Sequence, residues 1–216
     1  MKPGRFLLFM LLPVLLQLSA APREAPAAPD DGAKPADSSK KPAVRVLIAY
    51  YTLRGTTEKM AHGVAEGVKR VPGAVPVVKK VDKITKEDLE AADAIALGCP
   101  TYFANIPGKM KVAIDDWNWK WKVDFTDKVG GAFSTAGGQT GGKEHVVVSL
   151  LLFMIHNRMV VAGPLYQDAE GDDKWAESGA SAVTGPLDPG ISEEDLDGAR
   201  RLGERIAKLA KKMATH

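Results

Sequence analysis

The chain has 216 residues, 45% of them hydrophobic and 26% charged, which is the size and composition of one globular domain. With 29 basic and 27 acidic residues the net charge is only +2, so no nucleic-acid or anionic-membrane partner is indicated. Cys99 is the single cysteine, which excludes an internal disulfide and leaves the core to hold the fold alone.

The first segment reads as a targeting signal. Lys2 and Arg5 precede an apolar run from Phe6 to Leu18, and the small residues Ser19, Ala20 and Ala21 follow. The run is shorter than the roughly 20 apolar residues that span a bilayer, and Pro13 interrupts it. Residues 1–21 are therefore expected to be a secretory signal peptide, with membrane contact only if the signal is retained. No twin arginine precedes the run. Export, to the periplasm if the source is bacterial, is the expected location. Removing the signal takes Lys2 and Arg5 with it and leaves a neutral chain. Residues 22–43 are rich in Pro, Ala, Asp, Ser and Lys and read as a disordered linker.

From residue 44 the pattern changes to that of a folded domain, expected over 44–216. Val44 to Tyr51 is an apolar, β-branched run and is predicted to be a buried strand. Residues 56–70 are predicted as a helix with Met60, Ala61, Val64, Ala65 and Val68 on one stripe. A short strand over Val75–Val78 and the start of a short helix at Thr85–Leu89 follow. Ala94–Cys99 is the third strand, 107 to about 116 the second long helix, and Val129–Ser134 a fourth strand weakened by Gly130 and Gly131. Glu144–Ile155 is the third long helix and Arg158–Ala162 the fifth strand. The stretch 164–190 is Gly- and Asp-rich without a strong period and reads as a long loop. Ser192-Glu-Glu-Asp195 opens the last helix as an acidic variant of the capping box. Strands alternating with helices imply right-handed crossovers and an α/β fold. The expected architecture is a doubly wound, five-stranded parallel sheet in the flavodoxin-like order 2-1-3-4-5.

Three turns at the ends of apolar runs carry the chemistry, because open α/β sheets bind ligands outside the carboxyl ends of their strands. The first is Thr52-Leu53-Arg54-Gly55-Thr56-Thr57. It opens a helix whose N-terminal N–H groups favour an anion, with Gly55 allowing close approach and threonine hydroxyls adding donors. Thr56 read alone is equally a helix cap. The second turn, Pro100-Thr101-Tyr102-Phe103-Ala104-Asn105, carries an aromatic pair that either stacks on a flat heterocycle or plugs the core. The third, Ser134-Thr135-Ala136-Gly137-Gly138-Gln139, offers a glycine-lined edge for a planar ring. A phosphate site, an aromatic pair and a glycine edge together describe a flavin mononucleotide (FMN) pocket.

A rival motif overlaps the third turn. Gly137-x-x-x-x-Gly142-Lys143 resembles a triphosphate-binding loop, but Glu144 stands where the Mg²⁺-binding Ser or Thr belongs, and the loop follows the fourth strand rather than the first. Asp115-Asp116 and Asp172-Asp173 read as solvated pairs. His62, His145, His156 and His216 have no ligand spacing with Cys99 or with one another, so no metal site is expected. The 146–155 helix is apolar all round, as a core helix or an oligomer contact would be.

These residues resemble a known family. From Val44 to Leu209 the chain is similar to the WrbA-type NAD(P)H:quinone oxidoreductases, flavodoxin-like FMN proteins. The likeness rests on Tyr50-Tyr51-Thr52 before Gly55, Glu58-Lys59-Met60-Ala61, Gly98-Cys99-Pro100-Thr101, then Phe103, Asn105, Gly108 and Met110, and Phe133-Ser134-Thr135 with the glycines that follow. Gly179-Ala180 and the helix start at Glu194 and Leu196 also fit. The resemblance implies that residues 52–57 hold the FMN phosphate, Pro100–Ala104 line the isoalloxazine ring, and Ser134–Gly138 hold its far edge and the ribityl side. It implies that Trp121 lies over the flavin, often that of a neighbouring subunit, although packing with Trp117 and Trp119 is the simpler reading of that residue. It also implies a homo-oligomer, tetramer or dimer. Two positions depart from the family pattern. Its histidine before a Gly-Met pair is here Asn157, with His156 one place earlier and Arg158 before Met159, and a tyrosine before the Gly-Ala pair is here Ser178. His156, Asn157 and Trp121 are the catalytic candidates.

The expected function is an exported FMN oxidoreductase reducing quinones or another small redox acceptor with NAD(P)H. A flavodoxin-like electron carrier with no such activity of its own, or a flavin-free binding protein on the same fold, are the alternatives.

Overall fold

The structure, a computed structural model, describes residues 43–165, 177–185, 187 and 190–215. The expected signal and, apart from Ala43, the expected linker lie outside the described residues, as do Asp172-Asp173 and His216.

The sheet is built from β1 (Val44–Tyr50), β2 (Ala74–Lys80), β3 (Ala94–Pro100), β4 (Val129–Ala136), β5 (Val160–Val161) and β6 (Ala180–Val183), every pairing parallel. Its order is β2-β1-β3-β4-β5, as expected from the alternation of strands and helices. The fifth position, however, is shared by two strands. β5 pairs Val160 and Val161 with Val129 and Gly130 at the start of β4, while β6 pairs Ala180–Val183 with Phe133–Ala136 at its end. The stretch 164–190 is thus not all loop, as its sequence suggested. Its small residues Ala-Ser-Ala-Val show no strong period, yet they add a strand beside the C-terminal half of β4.

Helices α1 (Thr56–Lys69) and α5 (Glu193–Met213) cover one face; α3 (Gly108–Trp119) and α4 (Lys143–His156) cover the other, and the short α2 (Lys86–Glu90) precedes β3. Alternation along β1 decides the assignment. Val44, Val46, Ile48 and Tyr50 join the α1–α5 cluster, and Leu47 and Ala49 join the α3–α4 cluster. β4 is buried at every residue despite its glycines. A Cβ at Gly130 would lie 2.6 Å from Met154 Sδ, and one at Gly131 2.9 Å from Leu202 Cδ1, so these positions are filled by neighbouring helices.

α1 and α5 touch backbone to backbone. A Cβ at Gly67 would stand 1.9 Å from the Arg200 carbonyl oxygen, and one at Gly203 1.9 Å from that of Val64. Two helices are started by side-chain caps. Asp88 N–H donates to Thr85 Oγ1 and Thr85 N–H to the Asp88 carboxylate, a complete capping box, while Asp195 N–H donates to Ser192 Oγ at 3.1 Å. Among the described residues no helix is long and apolar enough to cross a membrane.

Candidate functional site

The three turns converge. Thr52, Leu53, Arg54, Thr56 and Thr57 from the first, Pro100, Thr101 and Tyr102 from the second, and Thr135, Ala136 and Gly137 from the third line one cavity of about 310 Å³ at the carboxyl end of the sheet. That volume falls at the lower end of the roughly 300–1,000 Å³ range of small-molecule sites. A fourth wall, Thr184 and Gly185, follows β6. Sequence reasoning missed these two residues because it did not see the strand that delivers them.

Hydrogen bonds tie the turns together. Thr57 and Thr135, 1% and 4% exposed, share a bond of 2.8 Å between their hydroxyls, joining the first turn to the third across 78 residues of chain. Thr101 N–H donates to the Thr135 carbonyl at 2.7 Å, joining the second. Ser134 lies deeper than expected. It is fully buried in β4, where its hydroxyl donates to the Cys99 carbonyl at 3.0 Å and bonds Thr101 Oγ1 at 3.1 Å. It braces the cavity and does not line it. Cys99 is also fully buried, and burial pushes its thiol up to about 12, far from a reactive thiolate.

The first turn is left open to a ligand. Gly55, not Thr56, is the N-cap of α1; it sits at φ 91° and provides no side-chain cap, while its own N–H donates to Thr52 Oγ1 at 3.0 Å. Below it, Tyr50 donates to Glu58, which also faces Lys80 at 3.5 Å. The Glu58 carboxyl is lowered, first by the Tyr50 bond, and the Tyr50 phenol is raised, first by burial.

The second turn is a tight reversal. Tyr102 and Asn105 exchange two backbone hydrogen bonds of 3.0 Å, and Phe103 and Ala104 between them take positive φ angles of 51° and 60°. Two adjacent non-glycine residues in that region are costly, and the paired Tyr102–Asn105 hydrogen bonds hold them there. The turn lifts the Phe103 ring into solvent, so that of the aromatic pair only Tyr102 lines the cavity. Tyr102 meets Tyr51 edge-on at 6.2 Å and 85°. Burial, then the bond to Tyr51, raises its phenol.

The third turn runs on to Gly142 at the start of α4. A Cβ at Gly138 would meet nothing within 4 Å and one at Gly137 would just touch the Gly185 carbonyl oxygen, at 3.9 Å, so both leave room for the edge of a flat ligand. The triphosphate-loop resemblance fails here on chemistry. Lys143 is buried, its ammonium held by Glu144 and, at 3.4 Å, by Glu177. Burial works against its charge, but the two carboxylates outweigh it and raise the lysine further. It has no charge to offer a triphosphate.

The catalytic candidates are not brought together. Arg158 and Val160 bond Asp127 and Lys128, just ahead of β4, so His156 and Asn157 lie at the opposite end of the sheet from the cavity, about 20 Å away along a 14-residue helix. The physical reason is direction, since α4 runs antiparallel to the strands. His156 is exposed, and Asn157 closes the helix with its amide donating to the Phe153 carbonyl at 2.8 Å. Trp121 lines a second cavity of about 560 Å³ that adjoins the first and shares Thr52 with it. It does not stack with both of its neighbours, because Trp117 is core and Trp119 is exposed.

Comparison with known proteins matches residues 53–171 to the family described as NADPH-dependent FMN reductase. The chain belongs to this family. An NAD(P)H dehydrogenase (quinone) of Geobacter sulfurreducens is 33% identical over 79% of this chain and 99% of its own length, and one from Geobacter metallireducens is equally similar. Among solved structures, a WrbA-like flavodoxin from Agrobacterium tumefaciens superposes with a TM-score of 0.62 at 24% identity, covering 79% of this chain and 99% of that one. This structure and an archaeal flavodoxin at TM-score 0.60 speak for the fold. The resemblance to the WrbA-type NAD(P)H:quinone oxidoreductases, flavodoxin-like FMN proteins, is borne out by these matches.

Proposed function

We propose that the cavity at the strand ends holds FMN, and that the protein passes a reducing pair from NAD(P)H to a quinone. The overall reaction is NAD(P)H plus a proton plus quinone, giving NAD(P)⁺ and hydroquinone. The observation that carries the reading is the single cavity formed by three turns that the Thr57–Thr135 and Thr101–Thr135 bonds lock together, in a chain of the FMN-reductase family. Bound FMN supplies the hydride and electron chemistry. The chain supplies position. The uncapped start of α1 with Thr52, Thr56, Thr57 and Arg54 suits the phosphate. Pro100, Thr101 and Tyr102 suit the ring, with Phe103 and Ala104 forming the rim, and Thr135–Gly138 suit its far edge and the ribityl chain. In the Thr57–Thr135 pair one hydroxyl proton is consumed by the mutual bond, which leaves one for a phosphate oxygen.

Protein lacking residues 1–21 is expected to be yellow and to show a flavin spectrum, bleached anaerobically by NADPH and restored by quinone. A colourless protein that FMN cannot reconstitute overturns the reading. The distance of His156 and Asn157 from the cavity favours a second reading, an electron carrier without turnover of its own. Flavin that holds a stable one-electron state and is not bleached by NADPH decides for it.

The proposal extends to location and assembly. The basic start, apolar run and small residues of 1–21 support export, which N-terminal sequencing of the mature protein tests. Val148, Leu152 and Ile155 leave an apolar stripe of 42%, 59% and 55% exposure on α4, which supports a homodimer or tetramer, read by light scattering.

A further inference from the structure

The third turn runs into Gly137-Gly138-Gln139-Thr140-Gly141-Gly142, a glycine-rich run of the kind that loses most conformational freedom when it is fixed. The sheet holds its start, because Ala136 is paired with Val183. Its end is held differently. Gly142 enters α4 at φ 94° with no side-chain cap, and a Cβ there would lie 2.8 Å from the Cα of Ala104, so the end of the run is pressed against the second turn. The next residue is Lys143. Its buried ammonium bonds Glu144 on its own helix and reaches Glu177 at 3.4 Å. Glu177 in turn accepts the Ser181 hydroxyl, and Ser181 stands in β6 opposite Ser134. β6 then delivers Thr184 and Gly185 to the first cavity. This link lies outside the packed core. Gln139, Lys143, Glu177 and Ser181 together line two further cavities, of about 460 and 300 Å³. Glu177 Oε2 is buried and has no hydrogen-bond partner among the described residues.

We infer that the Lys143–Glu177 pair is a latch. It ties the start of α4 to β6, keeps the glycine run closed on the second turn, and so fixes the wall that the third turn gives the first cavity. The inference deepens the flavin reading of that cavity and rests on it for the ligand. Lys143 and Glu177 are positioning residues, since they act on the cavity through the run between them and it. A buried ion pair adds little net stability, because desolvating both charges offsets their attraction. The unpartnered Glu177 oxygen adds a further cost. An apolar pair would join the two elements as firmly; a charge-assisted bond adds one fixed geometry. Without that bond the run is free to move between Ala136 and α4, and a ligand has to fix it again on binding. The first turn, where the phosphate sits, is untouched. The loss therefore falls on the ring and ribityl end of the ligand, and a flavin without a phosphate loses as much as FMN.

The test compares wild type with Lys143→Met/Glu177→Gln, which removes both charges so that neither is left buried alone. Amide hydrogen exchange of flavin-free protein, read by mass spectrometry, reports the run itself. Fluorescence titration with FMN and with riboflavin reports the cavity. Exchange over 137–142 is expected to quicken roughly tenfold while β1 and α1 exchange as in wild type. FMN and riboflavin are expected to weaken by the same factor, also roughly tenfold. Glu177→Gln alone keeps the side chain's shape and an acceptor for Ser181, and leaves Lys143 its bond to Glu144. It is expected to show the same pattern at about threefold, and it decides the matter if the double variant does not fold. Unchanged exchange at 137–142 overturns the inference, as does exchange that quickens equally in β1, which means general destabilisation. A faster run with unchanged riboflavin affinity overturns it too, because the wall then does not depend on the latch. If the wild type binds neither flavin, the flavin reading of the cavity falls instead, and the latch is judged by exchange alone.

Discussion

Replacing Thr57 by Val separates the two tasks of the Thr57–Thr135 pair. The side chain keeps its shape and loses only the hydroxyl, and Thr135, 4% exposed, is left with a buried hydroxyl whose 2.8 Å partner is gone. An unsatisfied buried polar group costs about 1–3 kcal/mol. For a domain of this size that lowers the melting temperature by about 2–12 °C. Adding Thr135→Val removes the stranded partner, so the double variant is expected to recover most of the loss and to lie within about 1 kcal/mol of wild type. Urea unfolding of flavin-free protein reads this, with the m-value constant across the cycle. Affinity behaves the opposite way. The double variant has lost the hydroxyl proton available to a phosphate oxygen, a hydrogen bond to a charged group worth about 1.5–3 kcal/mol. FMN is expected to bind roughly 10- to 150-fold more weakly, while riboflavin, which has no phosphate, binds as before. Stabilities that add across the two sites refute the structural half of the argument. Equal losses for FMN and riboflavin refute the placement of the phosphate.

Thr184→Val tests the fourth wall; its hydroxyl reaches the Ala136 carbonyl only at 3.4 Å, so stability is expected to hold within about 0.5 kcal/mol while FMN affinity falls several-fold, by flavin fluorescence titration. Gly67→Ala forces a methyl to within 1.9 Å of the Arg200 carbonyl oxygen and is expected to cost about 3 kcal/mol or more, because backbone on both sides must move. Gly108→Ala meets nothing within 4 Å at the first residue of α3 and is expected to stabilise by about 0.4–1 kcal/mol, so the pair gives opposite signs for one chemical change. Asp88 ends two bonds of 2.6 and 2.7 Å from Lys79 and completes the Thr85 capping box, and although burial works against the charge, these partners hold its carboxyl below the ordinary value. A lowered folded value means that the stabilisation is fully present above the ordinary aspartate value of about 3.9 and is lost as pH falls through the lower folded one. Asp88→Asn is therefore expected to lower the melting temperature by about 2–8 °C at neutral pH, about 1–2 kcal/mol, with the gap to wild type closing only below about pH 4.

Much of the sheet was readable because buried parallel strands are continuous apolar runs. Val44–Tyr50 and Ala94–Pro100 announce themselves that way. β4 was legible in place but not in weight. Its glycines look like weakness in one dimension and are contact surfaces for Met154 and Leu202 in three. The phosphate turn was legible because helix start, glycine and threonines are contiguous. Ser134 was not, since only the strand register shows that its hydroxyl is spent on Cys99 and Thr101. Family resemblance placed His156 and Asn157 near a flavin, yet linear likeness carries no direction, and α4 takes them to the far end of their own chain's sheet. Lys143 is engaged partly by its sequence neighbour Glu144 and partly by Glu177, 34 residues later, and only the second lies beyond any local motif.

The division of the fifth strand has a consequence for the site. β5 stops after pairing with Gly130, well short of the carboxyl end of β4, and on its own would leave Phe133–Ala136 as an open edge beside the third turn. β6 closes that edge, and by ending at Val183 it sets Thr184 N–H on the Ala136 carbonyl at 2.9 Å. Thr184 and Gly185 thereby face the same cavity as Thr57 and Thr135. A residue from the sheet's outermost position thus shares a cavity with the start of α1. A chain in which β5 ran on unbroken would also need Thr or Ser two residues past the level of Thr135 to do the same. Grafting that is the direct way to ask whether the break or the threonine matters. If replacing residues 162–179 by a continuous strand keeps the FMN affinity while Thr184→Val lowers it, the threonine carries the fourth wall, and the break is free to serve something else.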